Sequence, residues 1–394
     1  MSDQLKRRIG PVLLTLYGIG IMVGAGIYVL TGAAAGAAGV WAPLAFVLAA
    51  VVAVPTALSF CELSVRIPEA AADSSYIEKG LNRHALAVLV GWINIVAGTV
   101  AAAAVLRGGV GYLLALVDLP FVWAVIGLGA ALTVVAIVGV VESLAFAAVL
   151  TLVEVLGLAL VIGAGFSAEP VADWTLPAPA PHWAGIMTAT VFAFFAYIGF
   201  DDMANMAEEA RDPGRTMPRA ILAALTVTGI LYCLVALAAV RVVPQDVLGA
   251  SERPLAIVWE AGTGRSGAFL SAIAVAAALN GVLAQIVMAS RVLFGLGKRS
   301  RALAVFRSAH PRFGTPVLAS LLVGVSVVGA AMTLPVATLA EFTSQALLIV
   351  FSLVNASLIA LDRRERARGF DVAHWVPWLG LFACLAAFFG SFWG

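Results

Sequence analysis

Four glycines, Gly18, Gly20, Gly24 and Gly26, fall within nine residues of an apolar stretch that carries no charge from Ile9 to Cys61. Glycine weakens a helix and frees the backbone to turn. In hydrocarbon an opened backbone is tolerated only where it is buried in protein or lines a cavity. The segment Gly24-Ala25-Gly26 is therefore expected to interrupt a helix at a binding site. Close packing through small residues is the competing use of such glycines. A second stretch, Val191-Phe192-Ala193-Phe194-Phe195-Ala196-Tyr197, runs into Ile198-Gly199-Phe200-Asp201-Asp202. Carboxylates inside an apolar segment are expensive and as a rule functional. Following Gly199 so closely, they point to a second interruption. Free N–H groups at the start of a half-helix can receive a carboxylate, with help from the helix dipole. Free carbonyls at the end of a half-helix can accept from an ammonium. Two such breaks together suit a zwitterion, whose two charges must both be met out of water.

The ligand positions that follow are the N–H groups of Gly24, Ala25 and Gly26 for a carboxylate and carbonyls near Met22, Phe195 and Ile198 for an ammonium. Phe195, Tyr197 and Phe200 would shape the pocket, with ordinary core packing or lipid contact as the alternative. Asp201 is expected to cap the half-helix that follows the second break. Asp202 is expected to face water or a polar neighbour. Glu154 stands about nine residues into its apolar run, ~14 Å at the helical rise of 1.5 Å per residue, near the middle of a ~30 Å hydrocarbon core. Burial there favours the protonated acid, so Glu154 is the candidate for taking up and releasing a proton. The alternative is a neutral side chain bonded to a carbonyl of the first break.

These positions need a polytopic membrane frame, and the composition provides one. The 394 residues are 62% hydrophobic and 11% charged, the balance of a helical membrane protein. A net charge of +1 gives no reason to expect nucleic acid. Cys61, Cys233 and Cys384 stand in apolar runs without metal-ligand spacing, and the four histidines form no zinc motif. No cofactor and no metal are expected. No nucleophile–base constellation speaks for an enzyme, and no cleavable signal peptide is apparent. Apolar runs predict eleven crossings, at roughly 11–38, 40–66, 85–117, 121–140, 145–167, 184–210, 219–241, 268–296, 315–333, 337–361 and 375–393. Of the 23 lysines and arginines, eighteen fall on one side, at positions 6–8, 66–83, 211–219, 298–312 and 363–368; Arg241, Arg253 and Arg265 fall on the other. The positive-inside rule makes the first side cytoplasmic. The N-terminus is then cytoplasmic and, after eleven crossings, the C-terminus external, in a multi-pass protein of the cell membrane. The breaks at Gly24 and Gly199 are five crossings apart. An odd number sends the two halves into the membrane from opposite sides, as an inverted repeat requires.

The stretch from Phe194 through Gly199-Phe200-Asp201 and Glu208-Glu209-Ala210-Arg211-Asp212-Pro213-Gly214-Arg215 to Pro218-Arg219-Ala220-Ile221 closely resembles the sixth-crossing signature of the amino acid–polyamine–organocation transporters. Gly24-Ala25-Gly26-Ile27-Tyr28, Ala57 through Leu63 with Pro68, Asn280-Gly281-Val282-Leu283-Ala284 and Gly314-Thr315-Pro316 are similar to other family segments. The resemblance implies an all-α, LeuT-like five-plus-five inverted repeat with broken helices 1 and 6: a first half over 1–167, a second over 184–361, and an extra crossing at 375–394. It implies a secondary transporter of amino acids working by alternating access. Three departures stand out: a missing twelfth crossing, Ala71-Ala72 in place of the usual glycine pair, and Glu154 where relatives often carry lysine. Apolar pocket residues suit small neutral substrates, taken up with a proton or by exchange. Glu154 could instead neutralise a cationic amino acid, a polyamine or a related amine. Sodium coupling is weakened by Ala277-Ala278, where sodium-coupled relatives carry hydroxyls. A channel is the alternative outside the transporter class, since broken helices also line pores. Glu208, Glu209, Arg211 and Arg215 could form a gate ion pair or a solvated helix end. Glu62 and Arg66, four residues apart, are expected to pair, and Arg107 and Glu341 to snorkel.

Overall fold

The computed structural model describes residues 9–392 apart from 70–71, 140–143, 173, 175–178, 300 and 365–368. The basic residues Lys6, Arg7, Arg8, Arg366 and Arg368, together with Ala71, Trp393 and Gly394, lie outside the described residues. The elements are helical throughout: α1 (Pro11–Ala38), α2 (Ala42–Arg66), α3 (Ala72–Leu81), α4 (His84–Leu114), α5 (Phe121–Val138), α6 (Leu144–Ser167), α7 (Trp183–Tyr197), α8 (Phe200–Ala204), α9 (Pro213–Val242), α10 (Gln245–Ala250), α11 (Pro254–Thr263), α12 (Ala268–Arg299), α13 (Val317–Thr333), α14 (Val336–Asp362) and α15 (Trp375–Gly390). In a bilayer a helix satisfies all its backbone groups internally, which is why apolar runs of this length take that form.

Among the described residues, eight segments have the length and apolarity of a membrane crossing, and three shorter apolar helices accompany them, Pro11–Gly24, Val317–Thr333 and Trp375–Gly390. One of the eight runs Gly26–Arg66, through the outer half of α1 and all of α2. With α7 and α8 counted as one interrupted helix, the described residues supply eleven apolar helices for crossing a membrane, the number that the apolar runs indicate. α3, α10 and α11 are additional. Short and carrying charges, they read in the sequence as loops.

Helices five crossings apart pack on one another: α1 on α7, α2 on α9, α4 on α12 and α5 on α13. This is the contact pattern of a five-plus-five inverted repeat. Apart from a small cluster around Ile95, Leu293, Leu296 and Ala319, the buried side chains fall into two large clusters. One joins α1, α2, α7 and α9 with parts of α3, α6 and α14, through residues such as Met22, Phe46, Phe60, Tyr197 and Tyr232. The other joins α4, α5, α12 and α13 and takes Leu30 of α1 with Phe192 and Phe195 of α7. Ile198 packs against both. The second interruption therefore lies where two packed units meet, the geometry needed if one is to move against the other. Near the start of α1, Ile9 donates its N–H to the Glu209 carbonyl at 3.1 Å and accepts from Arg211 N–H at 3.0 Å. This bridge ties the chain before α1 to the chain after α8.

Candidate functional site at two interrupted helices

Within α1 the backbone leaves helical geometry at Gly24, with φ −4° and ψ −160°. α7 ends at Tyr197, Ile198 is extended, and Gly199 has φ 129°. A side chain is strained at that φ, and a Cβ on Gly199 would come within 2.5 Å of Ile21 Cγ2. Both interruptions are thus at the glycines that the sequence indicates. They are also apposed. Gly199 packs on Ile21 and Met22, and Gly26 packs on Ala196 and the Phe195 ring, where a Cβ would lie 3.4 and 3.6 Å away. α1 and α7 cross at their weak points with almost nothing between them. At Gly199 only hydrogen permits that approach, while at Gly26 a Cβ would just reach ordinary contact.

The carbonyls are distributed differently from the sequence reading. Phe195 O is already taken by Ile198 N–H at 3.2 Å. The acceptors that meet at the crossing are Met22 O and Ala196 O, and Tyr232 of α9 donates its hydroxyl between them, at 2.5 and 3.0 Å. Tyr232 is missing from the sequence reading. A tyrosine in an apolar run looks like packing, and nothing local to α9 signals carbonyls on α1 and α7. Phe195 belongs to the cluster shared with α4 and α12. The Phe200 ring, by contrast, is committed to Phe60 and Phe351, with centroids 5.7 and 5.2 Å away, and it is fully buried. It therefore stands with the inner aromatic core rather than at the crossing of the breaks.

Asp201 Oδ1 accepts the N–H of Gly199 at 2.9 Å. The bond spans the gap between α7 and α8 and holds the start of the inner half-helix. Glu154 of α6 is 3% exposed, and its Oε2 has no hydrogen-bond partner among the described residues. Its carbonyl accepts from the Tyr28 hydroxyl at 3.1 Å. One turn earlier, Thr151 rests against Gly20, where a Cβ would lie 2.2 Å from the hydroxyl oxygen. α6 is thus docked along α1 on both sides of the break. On the outer half, Tyr112 of α4 donates to Tyr28 O at 2.6 Å and accepts from Leu255 N–H, at the start of α11, at 3.2 Å.

At the end that carries α3, the Asp73 carboxylate accepts from Asn94 Nδ2 at 2.8 Å, and Ala72 N–H donates to Asn205 Oδ1 at 2.9 Å. Burial, and after it the nearby Asp201 carboxylate, push the Asp73 carboxyl up to about 7, against the pull of the Asn94 hydrogen bond. Glu62 pairs with Arg66, and Arg66 also reaches Asp362 at 2.6 Å, while Glu62 Oε2 accepts from Val372 N–H at 2.8 Å. This network ties α2 to the end of α14 and to the segment leading into α15. Arg215 pairs with Asp212 at 3.9 Å, both exposed. Arg107 donates to Ala331 O at 2.7 Å and lies 4.8 Å over the Phe121 ring, both at helix ends. Glu341 accepts from Gln345 at 3.1 Å.

Comparison with known proteins agrees with this geometry. A branched-chain amino acid permease of Bacillus subtilis is 26% identical over 416 residues, covering 98% of this chain and 88% of that one. The human cationic amino acid transporter 4 is 29% identical over 387 residues, covering 92% of this chain and 60% of the relative. The structure of a Na+-coupled sialic acid symporter superposes with a TM-score of 0.61 at 11% identity, over 97% of this chain and 89% of the symporter, and so shares the fold. The sequence profile described as amino acid permease matches residues 9–394. From the two apposed breaks to the profile that spans it almost end to end, the chain belongs to the amino acid permease family.

Proposed function

We propose that the protein is a proton-coupled secondary transporter of small neutral amino acids, working by alternating access with residues 1–167 and 184–361 as its two inverted halves and 375–394 as an added crossing. The observation that carries the reading is the apposition of the two breaks. It brings N–H groups that start the outer half of α1 close to carbonyls that end α7, so one small zwitterion can meet both. Gly24, Ala25 and Gly26 receive the carboxylate, and carbonyls of the two half-helices receive the ammonium. The surroundings are apolar, which suits a small neutral side chain. The protein sits in the cell membrane with its N-terminus cytoplasmic and its C-terminus external.

Glu154 is the coupling residue. An isolated carboxylate is too costly in hydrocarbon, and among the described residues no group pairs with Oε2. The side chain can carry a proton while enclosed and release it when water reaches it. Glutamine keeps the shape and polarity of the protonated acid. Glu154→Gln is therefore expected to retain substrate binding while its uptake into proteoliposomes loses pH dependence. Uptake is measured at several external pH values, with and without a sodium gradient. A wild-type pH profile in Glu154→Gln, or wild-type uptake that requires sodium, would remove the coupling assignment. Transport of a cationic amino acid is the second reading, favoured by the same buried Oε2 without a partner among the described residues. It predicts that L-lysine competes with L-leucine and that Glu154→Gln loses binding rather than pH dependence.

A further inference from the structure

Basic residues beside a bilayer are either balanced by neighbouring carboxylates or left open to an anion from elsewhere. Most basic stretches of this chain are balanced. Arg66, Lys79 and Arg83 stand among Glu62, Glu69, Asp73 and Glu78, and Lys79 pairs with Glu69. The arginines at 211–219 follow Glu208 and Glu209 and enclose Asp212, and those at 363–368 stand among Asp362, Glu365 and Asp371. The connection between α12 and α13 differs. No aspartate or glutamate occurs between Glu260 and Glu341, yet that interval holds seven lysines and arginines, five of them within 298–312.

The fold gives these cations a fixed mounting. Lys298 and Arg299 close α12, and a 3-10 turn, Arg301–Arg307, folds back on it. A Cβ on Gly297 would lie 2.9 Å from Leu303 O and 3.0 Å from Arg307 N, so the turn rests directly on the helix. Leu303 and Phe306 pack inward on Ile95, Leu293 and Leu296. Val305 and Arg307 are left outside, Val305 being 61% exposed. Beyond the turn, His310 N–H donates to Thr315 O at 2.9 Å, and His310 O accepts from Gly314 N–H at 2.8 Å. The Thr315 hydroxyl donates to Ile137 O at 2.5 Å, which fastens the loop to the end of α5. The His310 ring stacks on Phe313 at 4.9 Å, and the Arg312 guanidinium lies 5.8 Å over the same ring. All three side chains are exposed. So is Arg291, eight residues before the end of α12, or ~12 Å at the helical rise. Among the described residues none of Arg291, Arg307 and Arg312 pairs with a carboxylate.

The apolar side chains beside these cations decide what kind of anion fits. Val305 and Phe313 are exposed among them, and the exposed face continues along α13 through Leu318, Leu321, Leu322 and Val325, spaced as one helical stripe. A lipid offers hydrocarbon to the stripe and a phosphate to the cations at its rim. A soluble acidic partner meets only the cations. We propose that the α12–α13 connection is a binding surface for anionic phospholipid headgroups, with Arg291, Arg307 and Arg312 at the phosphates and Val305 and Phe313 at the boundary between headgroups and acyl chains. Charge draws a basic cluster of this size beside a crossing to anionic headgroups, and here no carboxylate in the sequence nearby opposes it. Arg291 reaches the same layer by extending its side chain along the helix. That the headgroups belong to the cytoplasmic leaflet rests on the orientation proposed above.

The test is titration of the purified full chain, in an uncharged detergent, with dansyl-labelled phosphatidylglycerol, read as energy transfer from the protein's tryptophans. Saturable transfer is expected, stronger than with dansyl-labelled phosphatidylcholine and weakened by salt. Arg307→Gln combined with Arg312→Gln should bind roughly 25-fold more weakly, at about fivefold for each cation removed. Arg307→Lys combined with Arg312→Lys keeps the charge and should bind within about twofold of the wild type. Arg215→Gln combined with Arg219→Gln removes the same charge beside carboxylates and should bind like the wild type. Equal transfer from phosphatidylcholine would overturn the proposal. So would equal weakening by the two glutamine pairs, which is the result for net charge alone. Displacement of the labelled lipid by polyglutamate at lower concentration than by unlabelled phosphatidylglycerol would assign the surface to an acidic protein and refute the lipid. Cysteine labelling of the chain ends decides the leaflet separately. An external N-terminus beside selective lipid binding would refute the orientation and leave the surface standing; a cytoplasmic N-terminus beside unselective binding would do the reverse.

Discussion

Replacing Asp73 by asparagine should flatten the pH dependence of stability. Asp73 lies on α3, outside the crossings, where it faces Asn94 of α4, Asp201 and Asp202 of α8 and Tyr76 on its own helix. Its carboxyl titrates near 7 in the fold against an ordinary value of 3.8. Between those two values the folded protein holds a proton that the unfolded chain has released. Stability therefore falls as pH rises through that window and is lowest above it. At about 1.4 kcal/mol per unit, over the roughly two units between pH 5 and the folded value, the effect is on the order of 3 kcal/mol. At roughly 2 °C per kcal/mol for a large chain, that is ~6 °C in melting temperature. Asparagine keeps an oxygen for the Asn94 amide and removes the charge opposite Asp201. Melting of the purified protein between pH 5 and 8.5 should show the wild type losing stability toward alkaline pH. Asp73→Asn should show a shallower slope and the higher melting temperature at pH 8. An unchanged slope would refute the assignment of the buried charge to Asp73.

Two further outcomes follow from the same structure. At Gly26 a Cβ finds ordinary contact with Ala196, so Gly26→Ala should bind substrate within a few-fold of the wild type. Gly26→Leu should be expressed but lose binding, because its branched end has nowhere to go but into α7; thermal-shift titration with L-leucine separates the two. Single cysteines placed at the two chain ends should be labelled from opposite sides of sealed vesicles, the N-terminal one from the cytoplasmic side. Labelling of both from one side would mean an even number of crossings.

The eleven crossings were legible because each is an apolar run bounded by charge, glycine or proline, and the bilayer leaves such a run little choice but a helix. Both breaks were legible for a local reason too: Gly24 and Gly199 are the residues at which the backbone turns. Whatever depended on partners distant in sequence was not. Met22 O and Ala196 O share a donor that lies 210 and 36 residues away. Arg107 reads as a lone charge until Ala331, 224 residues on, supplies a carbonyl. The Glu62–Arg66 pair was readable from its spacing of four, whereas Asp362, its third member, was not. Phe200 was assigned to the pocket because it follows the break, but Phe60 and Phe351 turn its ring toward the inner core. α3 and α11 were missed because Asp73, Lys79 and Pro254, the residues that open or close them, are also those that mark loops.

The most direct measurement is accumulation of labelled L-leucine by proteoliposomes holding the purified protein, in choline medium, with the outside made acidic relative to the lumen. Proton-coupled alternating access requires the internal concentration to rise above the external one and to collapse when the pH gradient is dissipated. Internal leucine that only equilibrates with the medium would mark a passive pathway, and accumulation that appears only with an inward sodium gradient would place the coupling elsewhere than Glu154.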